Sequence, residues 1–300
     1  MDPWADETRP GTVVFPDQTQ PTAWQRPRRR RRPWSAVWLG LLLGLSVSLY
    51  LMAPFRTNVL LLGVDRTPPG TVAGRTDTMI LTTFLPARPY IGALSIPRDL
   101  WVEVPGAGVN RINTAHYFAE LNQPGSGLAA TEDVVHSNFG VDVDYSLRVQ
   151  FDGIVGVVDA LGGVPIDLET PMSGYQAGQH TLDGTAALAF VRDRAGSDDF
   201  ARMARGQLFL RSVLKRIANP IVWPALPGAI ASGLSSLSSD VPAWQWPRLL
   251  FALIRVGPAG IDSRVIDRSM AIGFTTAAGA QVLAPQWDQI NPVLLEVFGQ

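Results

Sequence analysis

The segment that most constrains this chain is "RPRRRRRP" followed at once by "WSAVWLGLLLGLSVSLYLMA". Arg26 and Arg28 through Arg32 stand immediately before a run from Trp34 to Ala53 that carries no charge. About 20 apolar residues suffice to cross a hydrocarbon core of ~30 Å as a helix. A basic cluster on one side keeps that side in the cytoplasm, so the chain beyond the apolar run is exported. Trp34, Trp38 and Tyr50 suit the two interfaces. A cleaved leader is the rival reading, but "LMAPFRTN" offers no A-x-A site. The expected organisation is a disordered cytoplasmic tail over 1–33, a transmembrane helix over 34–54 and an extracytoplasmic domain over 55–300. The arginine run already has a sufficient role in topology, and 1–33 shows no helix-turn-helix pattern, so no nucleic-acid partner is expected.

The remaining length is ample for a core of its own. Cysteine is absent from the 300 residues, which removes disulfides, thiolate metal sites and a thiol nucleophile. The net charge of −1 points to no partner class.

After the apolar run, "NVLLLGVD" reads as a strand buried on both faces and ending at Asp65. "TMILTTFL" and "YIGALSI" are strand-like, with "PARP" as the turn between them. Pairing about that turn sets Asp77 opposite Pro97 and Arg98, and gathers Arg75, Asp77, Arg98 and Asp99 at the open end of a hairpin. "FDGIVGVVDALGGVPIDL" reads as helix, Gly-Gly stop and strand. "TLDGTAALAFVRDR" reads as a helix with a strand-like end. "SDDFARMARGQLFLRSVLKRIANP" is an amphipathic helix capped by Ser197 or Asp198. Further helices are expected near 225–237 and 243–256, and a strand around 263–267. Strands and helices interleave, so the predicted fold is a three-layer α/β/α arrangement on a central mixed sheet.

Arginine dominates the candidate chemistry. Arg75 and Arg98 flank the hairpin, Arg192 and Arg194 stand two apart, and Arg202 and Arg205 sit on the first turns of a helix. Guanidinium forks match phosphate oxygens in bidentate fashion, and a helix N-terminus favours anions. The alternative is a set of salt bridges with Asp193, Asp198 and Asp199. Asp65 and Asp77 add the complementary element, since Mg²⁺ takes one or two carboxylates together with phosphate oxygens and water. The histidines, His116, His136 and His180, are isolated and lack H-E-x-x-H spacing, so each reads as a surface or satisfied core residue. There is no G-x-S-x-G elbow and no P-loop. The residues point to an outward-facing site for a metal-bound phosphate or pyrophosphate.

Seven segments, "NVLLLGVD", "GRTDTMIL", "ALSIPRD", "RINTAHY", "FDGIVGVVDALGGVPIDL", "TLDGTAALAFVRDR" and "DDFARMARGQ", together resemble the LytR-CpsA-Psr proteins, membrane-anchored enzymes of cell-envelope assembly. The match is collinear from about Asn58 to Ile217. It implies a phosphotransferase that moves a glycopolymer (teichoic acid, capsule or arabinogalactan) from a polyprenyl-pyrophosphate carrier in the membrane lipid to a cell-wall acceptor, usually a peptidoglycan hydroxyl. It implies a lipid groove, with Asp65 and Asp77 coordinating Mg²⁺. Arg75, Arg98, Arg192 and Arg194 would hold pyrophosphate, and Arg202, Arg205 and Gln207 would complete the site. Asp99 is a candidate base for the hydroxyl, with pairing to an arginine as its other role. A non-catalytic lipid-pyrophosphate binder or envelope regulator, and a hydrolase, are the competing functions. One departure stands out: where the family commonly has a first Gln of two, this chain has Gly206.

Overall fold

The computed structural model describes residues 34–65, 74–193 and 199–299. The elements, in chain order, are α1 (Trp34–Leu51), β1 (Thr57–Val64), β2 (Thr76–Leu85), β3 (Tyr90–Ser95), β4 (Trp101–Val104), β5 (Gly108–Arg111), α2 (Thr114–Asn122), α3 (Gly127–Phe139), β6 (Tyr145–Gln150), α4 (Gly153–Ala160) and β7 (Val164–Leu168). They continue with β8 (Gly178–Leu182), α5 (Gly184–Arg192), α6 (Asp199–Ile217), α7 (Leu226–Leu234), β9 (Leu237–Ser239), α8 (Trp246–Val256), β10 (Asp262–Val265), β11 (Ala271–Thr275), β12 (Gln281–Pro285) and α9 (Trp287–Phe298).

The chain forms two compact units, 1–45 and 46–300. The described part of the first is the front of α1, an uncharged helix of 18 residues in all. At 1.5 Å per residue α1 is about 27 Å long, close to a hydrocarbon core. The expected tail over 1–33 lies outside the described residues.

The second unit is built on a six-stranded mixed sheet, order β10-β3-β2-β1-β6-β9. β1 runs parallel to β6 and antiparallel to β2. It is buried at every position but Leu61, as its continuous apolar sequence requires. Alternate residues supply the two faces. Leu60, Leu62, Met79, Leu81 and Leu94 pack with Val134 and Val135 of α3 and with Ile290, Leu294 and Val297 of α9. Val59 and Leu61 point the other way and meet Leu249 and Trp246 of α8. Helices on both faces make the predicted three layers. A second apolar cluster ties α4, α5 and α6 to the β7–β8 hairpin.

Register places the site. Ile80 faces Ser95 across β2 and β3, and the Ile96 N–H donates to the Met79 carbonyl at 2.9 Å. Continuing that register sets Asp77 opposite Arg98, as the turn-centred pairing predicts. On the other edge of β2, Thr78 pairs with Gly63 and Thr76 with Val64. Asp77 is therefore the extra residue of a β-bulge, which re-aims a side chain at a strand end.

The Gly-Gly stop is confirmed: Gly162 and Gly163 have φ of +69° and +86° between α4 and β7. One local expectation is corrected. α5 remains helical through Arg192 instead of turning strand-like. The Asp183 carboxylate caps it on the Ala186 N–H at 2.8 Å, and Ala187, Phe190 and Val191 keep one face buried to its last turn. Ser197 and Asp198 lie outside the described residues. The elements from β11 to α9 have no counterpart among the sequence-based expectations.

Candidate active site

Open α/β sheets place ligands beyond the carboxyl ends of their parallel strands. Here β1 and β6 end together, at Asp65 and just before Asp152, and charged side chains from five other segments converge there. They come from the β2 bulge, the exits of β3 and β5, the end of α5 and the start of α6.

Arg98 is the hub. Its guanidinium pairs with Asp77, with Asp199 at 3.2 Å and with Asp99 at 3.4 Å. Asp99 in turn meets the Arg111 Nε at 3.1 Å, and Arg111 also donates to the Gln281 carbonyl at 2.9 Å. Asp199 opens α6, where a carboxylate complements the helix dipole, and pairs with Arg202 one turn on. A second chain of contacts starts at Arg192. Its Nε donates to Asp65 at 2.6 Å and its terminal nitrogen to Asp152 at 2.8 Å. Burial works against the charge on Arg192, yet the bonds and charges of Asp152 and Asp65 outweigh it and raise its pKa.

The sequence-derived residues divide by position. Asp65, Asp77, Arg98, Asp99, Arg192 and Arg202 are brought together, all largely withdrawn from solvent. Arg75 stands exposed at the entrance to β2, its guanidinium 5.5 Å from the centre of the Tyr117 ring, a cation–π contact. Arg205 is buried and donates to the Asp193 carbonyl, bracing the end of α5. Gln207 gives its amide to the Ser95 Oγ and the Arg264 carbonyl, both at 2.8 Å. It pins α6 to the ends of β3 and β10. Arg194 lies outside the described residues.

Sequence reasoning missed Arg111, Asp152 and Tyr117 as members of the site, and offered Asp199 only as a salt-bridge partner, the role it takes with Arg98 and Arg202. Arg111 opens the "RINTAHY" segment, and Asp199 precedes Arg202 by one helical turn, so both signals were present.

Beneath Arg75 lies a buried polar network. His116 has no exposed surface. Its Nδ1 is 2.8 Å from the Gly74 carbonyl and its Nε2 is 3.3 Å from the Arg148 guanidinium. These partners assign the proton to Nδ1, where it donates to Gly74, and leave Nε2 as acceptor. Glu120 accepts from Arg148 at 3.3 Å and from the Gly125 and Gly127 N–H groups. The network fixes the carbonyl just before Arg75. His136 meets Asp142 at 2.9 Å on the surface, and His180 meets the Gln176 carbonyl, as isolated histidines should.

No group of three or more His, Cys, Asp or Glu arranged for a metal occurs among the described residues. The donor set at the strand ends is Asp65 and Asp77, two hard oxygen ligands on adjacent strands. That suits a magnesium ion completed by phosphate oxygens and water, not one caged by protein alone.

The sequence profile of the LytR_cpsA_psr family matches residues 52–245, which contain every residue of this cluster. The polyisoprenyl-teichoic acid–peptidoglycan teichoic acid transferase TagU of Oceanobacillus iheyensis is 34% identical over 168 residues, 54% of this chain and 52% of that protein. The protein of the same name from Bacillus mycoides is 32% identical over 195 residues, 63% of this chain and 58% of its own. The chain thus spans between half and three-fifths of the length of these relatives. Among solved structures, TagT bound to LI-WTA superposes with a TM-score of 0.65 at 24% identity, covering 82% of this chain and 91% of that one. The gbs0355 protein of Streptococcus agalactiae superposes with a TM-score of 0.69 at 18% identity, over 84% and 91% of the two chains. These likenesses establish the fold, and the profile spans the arginine–aspartate cluster and most of the sheet: the chain belongs to the LytR_cpsA_psr family.

Proposed function

We propose that this chain transfers a phosphate-linked glycopolymer of the teichoic-acid class from a polyprenyl-pyrophosphate carrier to a peptidoglycan hydroxyl. The observation that carries the reading is the interleaving of Arg98, Arg192 and Arg202 with Asp65 and Asp77 at the carboxyl end of β1. Such a site suits a diphosphate, whose oxygens would compete with the carboxylates for the same guanidinium forks. The relatives' names supply the polymer and acceptor class.

In the reaction the acceptor hydroxyl oxygen attacks the phosphorus next to the sugar, and its proton passes to solvent. A new P–O bond forms, the bridging P–O bond breaks, and the carrier departs as prenyl phosphate. Arg98, Arg192 and Arg202 stabilise the charge gathered on the departing and equatorial oxygens. Asp65 and Asp77 would hold Mg²⁺, which when bound supplies further neutralisation of the diphosphate. Arg75, at the rim, meets the incoming phosphate first. Arg205 and Gln207 position α6. Asp99, between Arg98 and Arg111, orients both. The apolar helix α1 anchors the chain with its N-terminus in the cytoplasm, so that carrier and site share one membrane face.

Transfer from a lipid-pyrophosphate donor to peptidoglycan, assayed with the full chain, tests this. Arg98→Ala and Asp77→Asn should each lower transfer at least about 100-fold while circular dichroism is unchanged, the scale of losing one preorganised charge partner. Wild-type-like transfer by both variants would overturn the proposal. Polymer release that needs no acceptor would identify a hydrolase, and a co-purifying lipid that is never turned over would identify a binder.

A further inference from the structure

A helix on the surface of a soluble protein turns polar side chains outward. α8, "WPRLLFALIRV", exposes apolar ones as well. Inward it sends Arg248, Leu249 and Ala252. Outward, at three- and four-residue spacing, lie Trp244 just before its start, then Pro247, Leu250 and Ile254. Trp244, Leu250 and Ile254 are 58%, 48% and 76% exposed. No acidic residue occurs in the helix. Its two arginines are both occupied: Arg248 faces inward, and Arg255 donates to the Pro86 carbonyl at 2.6 Å and lies over the Phe251 ring.

The same helix is tied to the chain where the apolar run ends. The Tyr50 hydroxyl donates to the Trp244 carbonyl at 2.6 Å, and the two rings are 6.3 Å apart. Arg248 donates to the Ala53 carbonyl at 3.1 Å, to the Phe55 carbonyl and to the Thr57 hydroxyl at 3.3 Å. Around these anchors Met52 and Phe55 also expose apolar side chains.

We propose that the outward stripe of α8, together with Trp244, Met52 and Phe55, is a second membrane contact. It lies in the interfacial zone of the bilayer that α1 crosses. The proposal rests on reading α1 as a membrane anchor. A lipid interface is the occupant because the stripe is continuous with the last turn of the apolar helix through Tyr50 and Arg248. Its composition, Trp and Tyr beside Leu and Ile with Arg255 at its far end as the exposed charge of the helix, is that of an interfacial helix. The contact fixes the tilt of the sheet on the membrane, which a single helix and a short connection would leave free.

The chain has no cysteine, so a single introduced cysteine labels uniquely. Spin labels on Leu250→Cys and Ile254→Cys in the full chain, in phosphatidylcholine–phosphatidylglycerol vesicles, should be relaxed by oxygen more than by a water-soluble nickel chelate. Leu42→Cys serves as the lipid reference and Val109→Cys, exposed in the β4–β5 hairpin, as the water reference. Lipid-like behaviour at Leu42 with water-like behaviour at 250 and 254 overturns this inference and leaves the anchor intact. Water-like behaviour at Leu42 overturns the anchor and the inference with it. Spin–spin broadening at 254 that grows with the protein-to-lipid ratio would show a second copy on this face, which also overturns it.

Discussion

Arg98 touches three carboxylates from three segments, so its contribution is geometric as well as electrostatic. A lysine would keep the charge and lose the fork. Arg98→Lys should therefore retain the fold but lower kcat for transfer by about tenfold or more, at roughly one lost charge-assisted bond, measured in the same donor–acceptor assay. His116 carries a different prediction. Burial, joined by the Arg148 charge, holds its pKa below the usual imidazole value of 6.5, against the opposing pull of Gly74 and Glu120. Below about pH 6.5 the unfolded chain takes up a proton that folded His116 refuses, so stability falls as the pH drops through that window. Urea unfolding at pH 7.5 and 5.5 should show a smaller loss for His116→Asn than for wild type; an equal loss would exclude the His116 contribution. Arg98, Arg192 and Arg202 were legible in the sequence, because charges that interrupt apolar segments are conspicuous. Asp152 was not, since an acidic residue at a helix start has an ordinary capping role.

At the scale of elements, close packing and open surface assign opposite outcomes to similar glycine substitutions. An added Cβ at Gly184 would come within 2.4 Å of the Val155 carbonyl and 2.8 Å of the Asp159 carboxylate. Gly184→Ala should thus push α5 off α4 and destabilise by about 1–3 kcal/mol. At Gly206, inside α6, nothing lies within 4 Å of the added atom. Gly206→Ala should stabilise the fold by up to about 1 kcal/mol, the difference in helix propensity. Denaturant midpoints of the two variants check both signs. The hairpin of β2 and β3 was readable to the residue because "PARP" fixes the turn, and the turn fixes which residues face each other. The end of α5 was not, because "FVRDR" alternates apolar and charged residues as a strand would, and only the packing of Phe190 and Val191 decides for helix. β11, β12 and α9 were hidden for other reasons. β11 mixes Gly, Ala and Thr, β12 is a five-residue strand that ends in Pro285, and the helix carries Pro292 inside it, a residue that ordinarily ends one.

For the whole molecule, ligand and fold are linked. Anything that binds the folded state stabilises it, by about 2.7 kcal/mol at a hundred times its dissociation constant. Mg²⁺ with pyrophosphate should raise the thermal midpoint by several degrees, more than the sum of each alone, because Asp65 and Asp77, as the proposed ligands, would supply only part of a coordination shell. Asp77→Asn should abolish the excess, and calorimetry of the two proteins decides it. The layered architecture was legible from alternating strands and helices. The seat on α8 was not, since a helix rich in Leu and Ile reads as core until its exposed side is known.

In the proposed reaction β1 has a consequence for the carrier. It is 8 residues long and, at about 3.3 Å each, carries the chain some 26 Å from Thr57, just past the apolar helix, to the arginine–aspartate cluster at its other end. The headgroup of the proposed carrier would start in the bilayer plane and have to be lifted toward that cluster. Every stretch of its tail drawn out with it loses lipid contact at about 25 cal/mol per Å² unless apolar protein surface replaces it. How far the sheet leans therefore governs the length of tail extracted in each turnover, and a carrier with too short a tail would be stripped from the membrane before its phosphate arrived.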